Sequence, residues 1–149
     1  AICEYINDAY LNGAAWPSEI AQRAKARSLA AEMHSGFAAL RNEMPMNIRA
    51  KRHVELSEQA KKDIARIDEI FSTQQQRYPN AWLFGEISIV DAMFAPVVLR
   101  FKTYQVTLSR AAQAYCQHVF ACPVMQTWIR EALKETDIVK SDEAGENAW

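Results

Sequence analysis

Few residues in this sequence are placed to do chemistry, and the most pointed pair is Ser88 and Asp91, within Phe84-Gly85-Glu86-Ile87-Ser88-Ile89-Val90-Asp91-Ala92. Ser-x-x-Asp ahead of an apolar run is a capping-box pattern. The hydroxyl accepts from the N–H three residues on, and the carboxylate reaches back to the serine N–H. Asp91 is therefore expected to be buried, structural and held in its charged form by backbone donors. His34, in Glu32-Met33-His34-Ser35-Gly36-Phe37, reads as a packed, hydrogen-bonded histidine or as a proton-transfer group. Arg41 shares helical spacing with Met33, Phe37, Leu40 and Met44. An arginine among apolar neighbours pairs with a ligand carboxylate or carbonyl, or with an acid such as Glu43. Cys3, Cys116 and Cys122 are odd in number and lack metal-ligand spacing, so a reduced setting is the simplest reading, with Cys116 and Cys122 as small core residues.

The elements that must hold these residues are helical. Only 4 Gly and 5 Pro interrupt 149 residues, a length suited to one well-buried domain. The periodicity predicts a first long helix over about 18–44, opened by Pro17-Ser18 and stopped by Pro45. Gly36 inside it implies a close approach by a neighbouring helix or a ligand. A second helix spans about 56–78, with Ala60, Ile64, Ile67, Phe71 and Tyr78 as its core stripe. Lys61, Lys62, Asp63, Arg66, Asp68 and Glu69 form its wet face. The third starts at Ser88 and is apolar on most sides, hence central; Pro96 costs it one backbone hydrogen bond and is expected to kink it, the alternative being a helix that begins at Pro96. Shorter helices follow over about 109–120 and from Pro123, the last with Val124, Trp128, Ile129, Ala132 and Leu133 facing inward. Between the first two helices, Met46–Val54 carries Arg49, Lys51, Arg52 and His53 and reads as a solvated loop. The tail, 135–149, is acidic and expected to be mobile apart from Ile138-Val139, with Trp149 folded back or disordered. The sum is an all-α bundle of about five helices around a central, N-capped helix.

Charge and hydropathy exclude some functions. A net charge of −1 offers no electrostatic case for nucleic acid or an acidic membrane. No apolar run approaches the ~20 residues of a membrane span. The first ten residues lack the basic start and apolar core of a secretory signal.

Several strings together carry a family resemblance: Ala1-Ile-Cys-Glu-Tyr-Ile-Asn-Asp-Ala-Tyr10, Trp16-Pro17, Tyr78-Pro79-x-x-Trp82-Leu83-Phe84-Gly85, the Ser88/Asp91 box with Ala92-Met-Phe-Ala-Pro-Val-Val98, and Cys122-Pro123-x-x-x-x-Trp128. In this order they resemble the all-helical C-terminal domain of cytosolic glutathione transferases of the bacterial type. The resemblance implies that 1–12 is the last helix of a thioredoxin-like domain and 13–149 the helical domain. It places the catalytic Ser, Cys or Tyr, and the Glu/Gln-Ser pair that binds glutathione, in a preceding segment, so no residue of this chain is catalytic and the chain alone is inactive.

For the full-length enzyme the resemblance implies cytoplasmic detoxification. Glutathione serves as cosubstrate, its thiolate is added to a small hydrophobic electrophile, and no metal takes part. The acceptor pocket maps to Met33, Phe37, Leu40, Arg41, Met44, Phe101 and Tyr104, where Met and aromatic side chains suit a variable apolar ligand. A homodimer pairs the first two long helices. The alternative is a glutathione-transferase-like helical interaction module without catalysis, or a plain scaffold.

Overall fold

The computed structural model describes residues 1–148; Trp149 lies outside them, as does the side chain of Ser141. The central helix begins where its cap does. Here α5 (Ile89–Thr103) starts after Ser88, runs on through Pro96 and buries ten of its fifteen residues. Around it stand α2 (Ile20–Ser35), α4 (Glu58–Arg77) and α6 (Arg110–Ala121). Phe71 of α4 packs edge-on to Phe94 at 5.3 Å between ring centroids and against Tyr115 of α6 at 4.5 Å. Edge-to-face and tilted rings at such spacings add to the energy of burial. Among the described residues 61% are helical, which makes the domain all-α.

The first long helix is two helices. α2 ends at Ser35 and α3 covers Ala38–Glu43. Gly36 turns extended (φ −100°, ψ −170°), and Phe37 takes a left-handed conformation (φ 56°, ψ 38°). The close approach at Gly36 is to its own helix rather than to a neighbouring one: a Cβ there would sit 2.7 Å from the Glu32 carbonyl oxygen of the last turn. The strain at Phe37 is offset by burial of its ring in the core. Phe37 offers no side-chain cap to α3. Instead Asp63, expected on the wet face of α4, is buried and accepts the Leu40 N–H at 3.1 Å. An orphan amide in the first turn of a buried helix needs an acceptor, and α4 supplies it.

A further expectation fails in part at one edge. α7 (Pro123–Ala132) packs chiefly on α6, and Met125 is its one buried residue. Val124 is 74% exposed, Trp128 38% and Leu133 56%, so of the inward stripe expected there only Ile129 and Ala132 are partly buried, Ile129 against the core. A peripheral helix touching one neighbour has no second surface against which to bury a wide stripe. In α1 (Ile2–Tyr10), Glu4 is not a plain surface acid. Its Oε2 accepts from the Trp16 indole at 3.1 Å and lies 3.8 Å from Arg27.

The tail is structured as well. A short 3-10 turn (Lys140–Asp142) leads to β2 (Glu146–Asn147), which pairs antiparallel with β1 (Arg52–His53). The Ala148 N–H donates to the Lys51 carbonyl at 3.0 Å, and Arg49 donates to the carbonyls of Glu135 and Asp137. Ile138 and Val139, the residues expected to anchor the tail, are 64% and 61% exposed.

One terminus invites a stabilising change. α5 closes in a Schellman turn: the Val106 N–H donates to the Phe101 carbonyl at 3.0 Å, and that of Gln105 to Lys102 at 3.3 Å. Gln105 holds the left-handed position (φ 54°) with its side chain exposed. Gln105→Gly removes the Cβ strain and is expected to raise stability by roughly 0.5–1 kcal/mol. A urea melt showing no gain, or a loss, would sink this reading.

Candidate functional site

Asp91 is the most elaborately held side chain. It is 2% exposed and accepts four hydrogen bonds. Oδ1 takes the Leu83 N–H and the Tyr115 hydroxyl, each at 3.0 Å, while Oδ2 takes the Ser88 N–H at 2.9 Å and the Ser88 hydroxyl at 3.1 Å. The capping box is present, with the carboxylate's second oxygen recruited to tie down the preceding loop and α6. Burial pushes the Asp91 carboxyl above the usual range, and the four donors pull the other way. Burial is the larger effect, contrary to the expectation that backbone donors would dominate. The Tyr115 hydroxyl is raised well above its ordinary value by burial and by the neighbouring Asp91. Sequence reasoning missed Tyr115 as Asp91's partner. The available signal was a tyrosine at an inward position, whose hydroxyl must find a partner when buried.

The residues expected to line an acceptor pocket fall into two groups. Met33, Phe37, Leu40, Met44, Phe101 and Tyr104 all lie in the core, none more than 8% exposed. Beside them α3 packs on α4. Arg41 alone is partly exposed, and its side chain makes no hydrogen bond or ion pair among the described residues. Next to it is Arg100, which the sequence reading had not singled out. Arg100 donates to the carbonyls of Met44 at 2.9 Å and Pro96 at 3.2 Å. Burial, and then the charge of Arg41, depress the pKa of the Arg100 guanidinium. Tyr104 donates to the Pro45 carbonyl at 3.0 Å, and burial raises its pKa. The arrangement is two like charges at the C-terminal end of α3, one tied to carbonyls and the other available to an anion or a polarised carbonyl.

The remaining candidates are plainer. His34 is exposed rather than packed. Cys116 is buried in apolar surroundings that push its thiol up to about 12, so it is an unreactive core residue. Cys122 is half-buried, and all three cysteines are free. Among the described residues, no group of three or more His, Cys, Asp or Glu side chains could hold a metal ion, and no helix is long and apolar enough to cross a membrane.

Solved structures share this architecture, among them a glutathione transferase homolog from Burkholderia, strain BGR1, with bound glutathione. It is 21% identical, with a TM-score of 0.62 over 88% of this chain, and this chain spans 63% of its length. The likeness shows a glutathione-transferase-like fold. No family model matches the sequence, and neither does any curated protein.

Asp91→Ala tests the hub. It would leave the Leu83 and Ser88 amides and a fully buried tyrosine hydroxyl without an acceptor. The expected loss is about 3 kcal/mol or more, the sum of a cap and at least one stranded buried donor. A chemical melt within about 0.5 kcal/mol of wild type, inside the usual range for surface changes, would contradict it.

Proposed function

We propose that this chain is the C-terminal helical domain of a glutathione transferase, with residues 1–12 the last helix of a thioredoxin-like domain and 13–149 the helical domain. The observation that carries the reading is the shared fold, built on a capped central helix in the order of motifs that the sequence displays. A second observation agrees with it. α1 turns Ile2, Tyr5, Ile6 and Tyr10 to solvent, an apolar face suited to packing beneath another domain. On this reading the full-length protein is a bacterial-type cytoplasmic enzyme of detoxification. The glutathione thiolate forms a bond to carbon in a small hydrophobic electrophile, and a leaving group such as halide departs. Thiol activation and the γ-glutamyl site lie in the other domain. This domain contributes the acceptor side, with Arg41 at the rim and the buried Met33, Phe37, Leu40, Met44, Phe101 and Tyr104 shaping the wall behind it. α2 and α4, the long helices, pair across a two-fold axis in the homodimer.

One observation favours the alternative of an interaction module without catalysis. The six apolar stripe residues are sealed, which leaves an electrophile less apolar surface than an acceptor pocket usually offers.

Two measurements separate the readings. The 149-residue chain with glutathione and a reactive aryl halide should show no turnover above background, whereas the full-length protein should show saturable conjugation. Failure of the full-length protein with every acceptor tried would favour the module. In that same protein, Arg41→Ala should raise the acceptor KM or lower kcat while the melting temperature stays within a few degrees, as expected for a partly exposed, unpaired side chain. Unchanged kinetics across several acceptors would remove Arg41 from the pocket.

A further inference from the structure

The loop expected to be merely solvated faces the tail across a cavity of about 380 Å³. Its polar lining is Asn47, Arg49, Lys51 and Arg52 from the loop, with Glu143 and Asn147 from the tail. Three cations therefore meet one acid. The tail places a carboxylate here: Glu143 Oε1 accepts from the Asn47 amide at 2.9 Å, and Oε2 pairs with the Arg52 guanidinium. Arg52 also donates to Asn147 Oδ1 at 2.7 Å. This arrangement leaves part of the fork unanswered, because Arg52 Nε is buried with no hydrogen-bond partner among the described residues. A buried guanidinium donor without an acceptor is costly, and an anion with more oxygens than one glutamate could satisfy it.

The tail is held weakly enough to yield. Its ladder is two residues long, and its apolar residues Ile138 and Val139 point to solvent. The polar ties described above, a partly exposed ion pair, side-chain hydrogen bonds from Asn47 and Arg52 and donors to backbone carbonyls, lie at the surface, where such contacts contribute little and ion pairs weaken with salt. We infer that this cavity is a binding site for a small anion bearing two or more carboxylates, with Glu143 of the tail as its resident competitor. The ligand is a carboxylate because the group seated on Arg52 and Asn47 is one, and the planar guanidinium fork matches its two oxygens. It carries more than one because Arg49 and Lys51 line the same cavity, where Glu143 is the one acid among the described lining residues. The site stands apart from the transferase reading, since it lies between the loop and the tail and uses none of the residues assigned to the acceptor side.

The probe is citrate, titrated calorimetrically into the 149-residue chain at low and at high ionic strength. Binding is expected at low salt and should weaken as salt rises. Glu143→Gln, which keeps the length and removes the competing charge, should bind citrate severalfold more tightly. Arg52→Ala should bind at least about tenfold more weakly, the cost of losing a charge-assisted hydrogen bond. If Arg52→Ala fails to fold by circular dichroism, the exposed Lys51→Ala takes its place and should weaken binding in the same direction. Absence of citrate binding in both wild type and Glu143→Gln overturns the site. So does a Glu143→Gln variant that binds no more tightly than wild type, because the tail carboxylate would then not be competing.

Discussion

Asp91 is the constraint on which the rest of the domain depends. One buried carboxylate joins the loop at Leu83, the start of α5 at Ser88 and the middle of α6 at Tyr115. Removing a charge from water is tolerable only when its oxygens are fully answered, and here four donors answer them. The loop is in turn fixed from its other side. Gln74 of α4 donates to the Leu83 carbonyl at 2.8 Å, and the Ile89 N–H donates to the Ala15 carbonyl at 3.0 Å. The entry angle of the central helix is thus set by polar contacts from three directions, and the aromatic packing of Phe71, Phe94 and Tyr115 follows from it.

The same device recurs with less burial. Asp63 receives an amide from the first turn of α3, Glu43 receives the Ser57 N–H at 2.8 Å at the start of α4, and Asp68 receives the Ser109 N–H at 2.6 Å at the start of α6. In each case an acid on one helix answers an orphan donor at or just before the first turn of another. Such ties orient helices relative to one another, which apolar packing alone does loosely. The exposed ones contribute less energy than Asp91, and they add register.

Sealing of the Met33–Met44 stripe changes where a ligand can be met. α3 is short, begins at a left-handed Phe37 and folds onto α4, so side chains that a continuous helix would have shown to solvent are turned into the core. Polar recognition then concentrates at the rims, at Arg41 beside Arg100 and in the basic loop facing the acidic tail. These sites share a feature: arginine donors outnumber the carboxylates that reach them.

Much of the fold was legible in the residues themselves. Ser57, Ser88, Ser109 and Pro123 mark helix starts, and the dense apolar run after Ser88 marks a helix buried on most sides, because caps and periodicity are local properties of the chain. The all-α class and the central helix rest on such signals. Other features depended on distance in space. Nothing local says that Asp63 turns inward, since its partner is the Leu40 amide, exposed only because the helix breaks at Gly36. Nothing local pairs Arg52 with Glu143 or Lys51 with Ala148, because polar contacts across about ninety residues carry no periodicity. The stripe through Met33, Phe37, Leu40 and Met44 was visible as apolar, but the break at Gly36 that turns α3 onto α4 was not. Hydrophobic pattern specifies that a face is buried; only tertiary packing specifies what buries it.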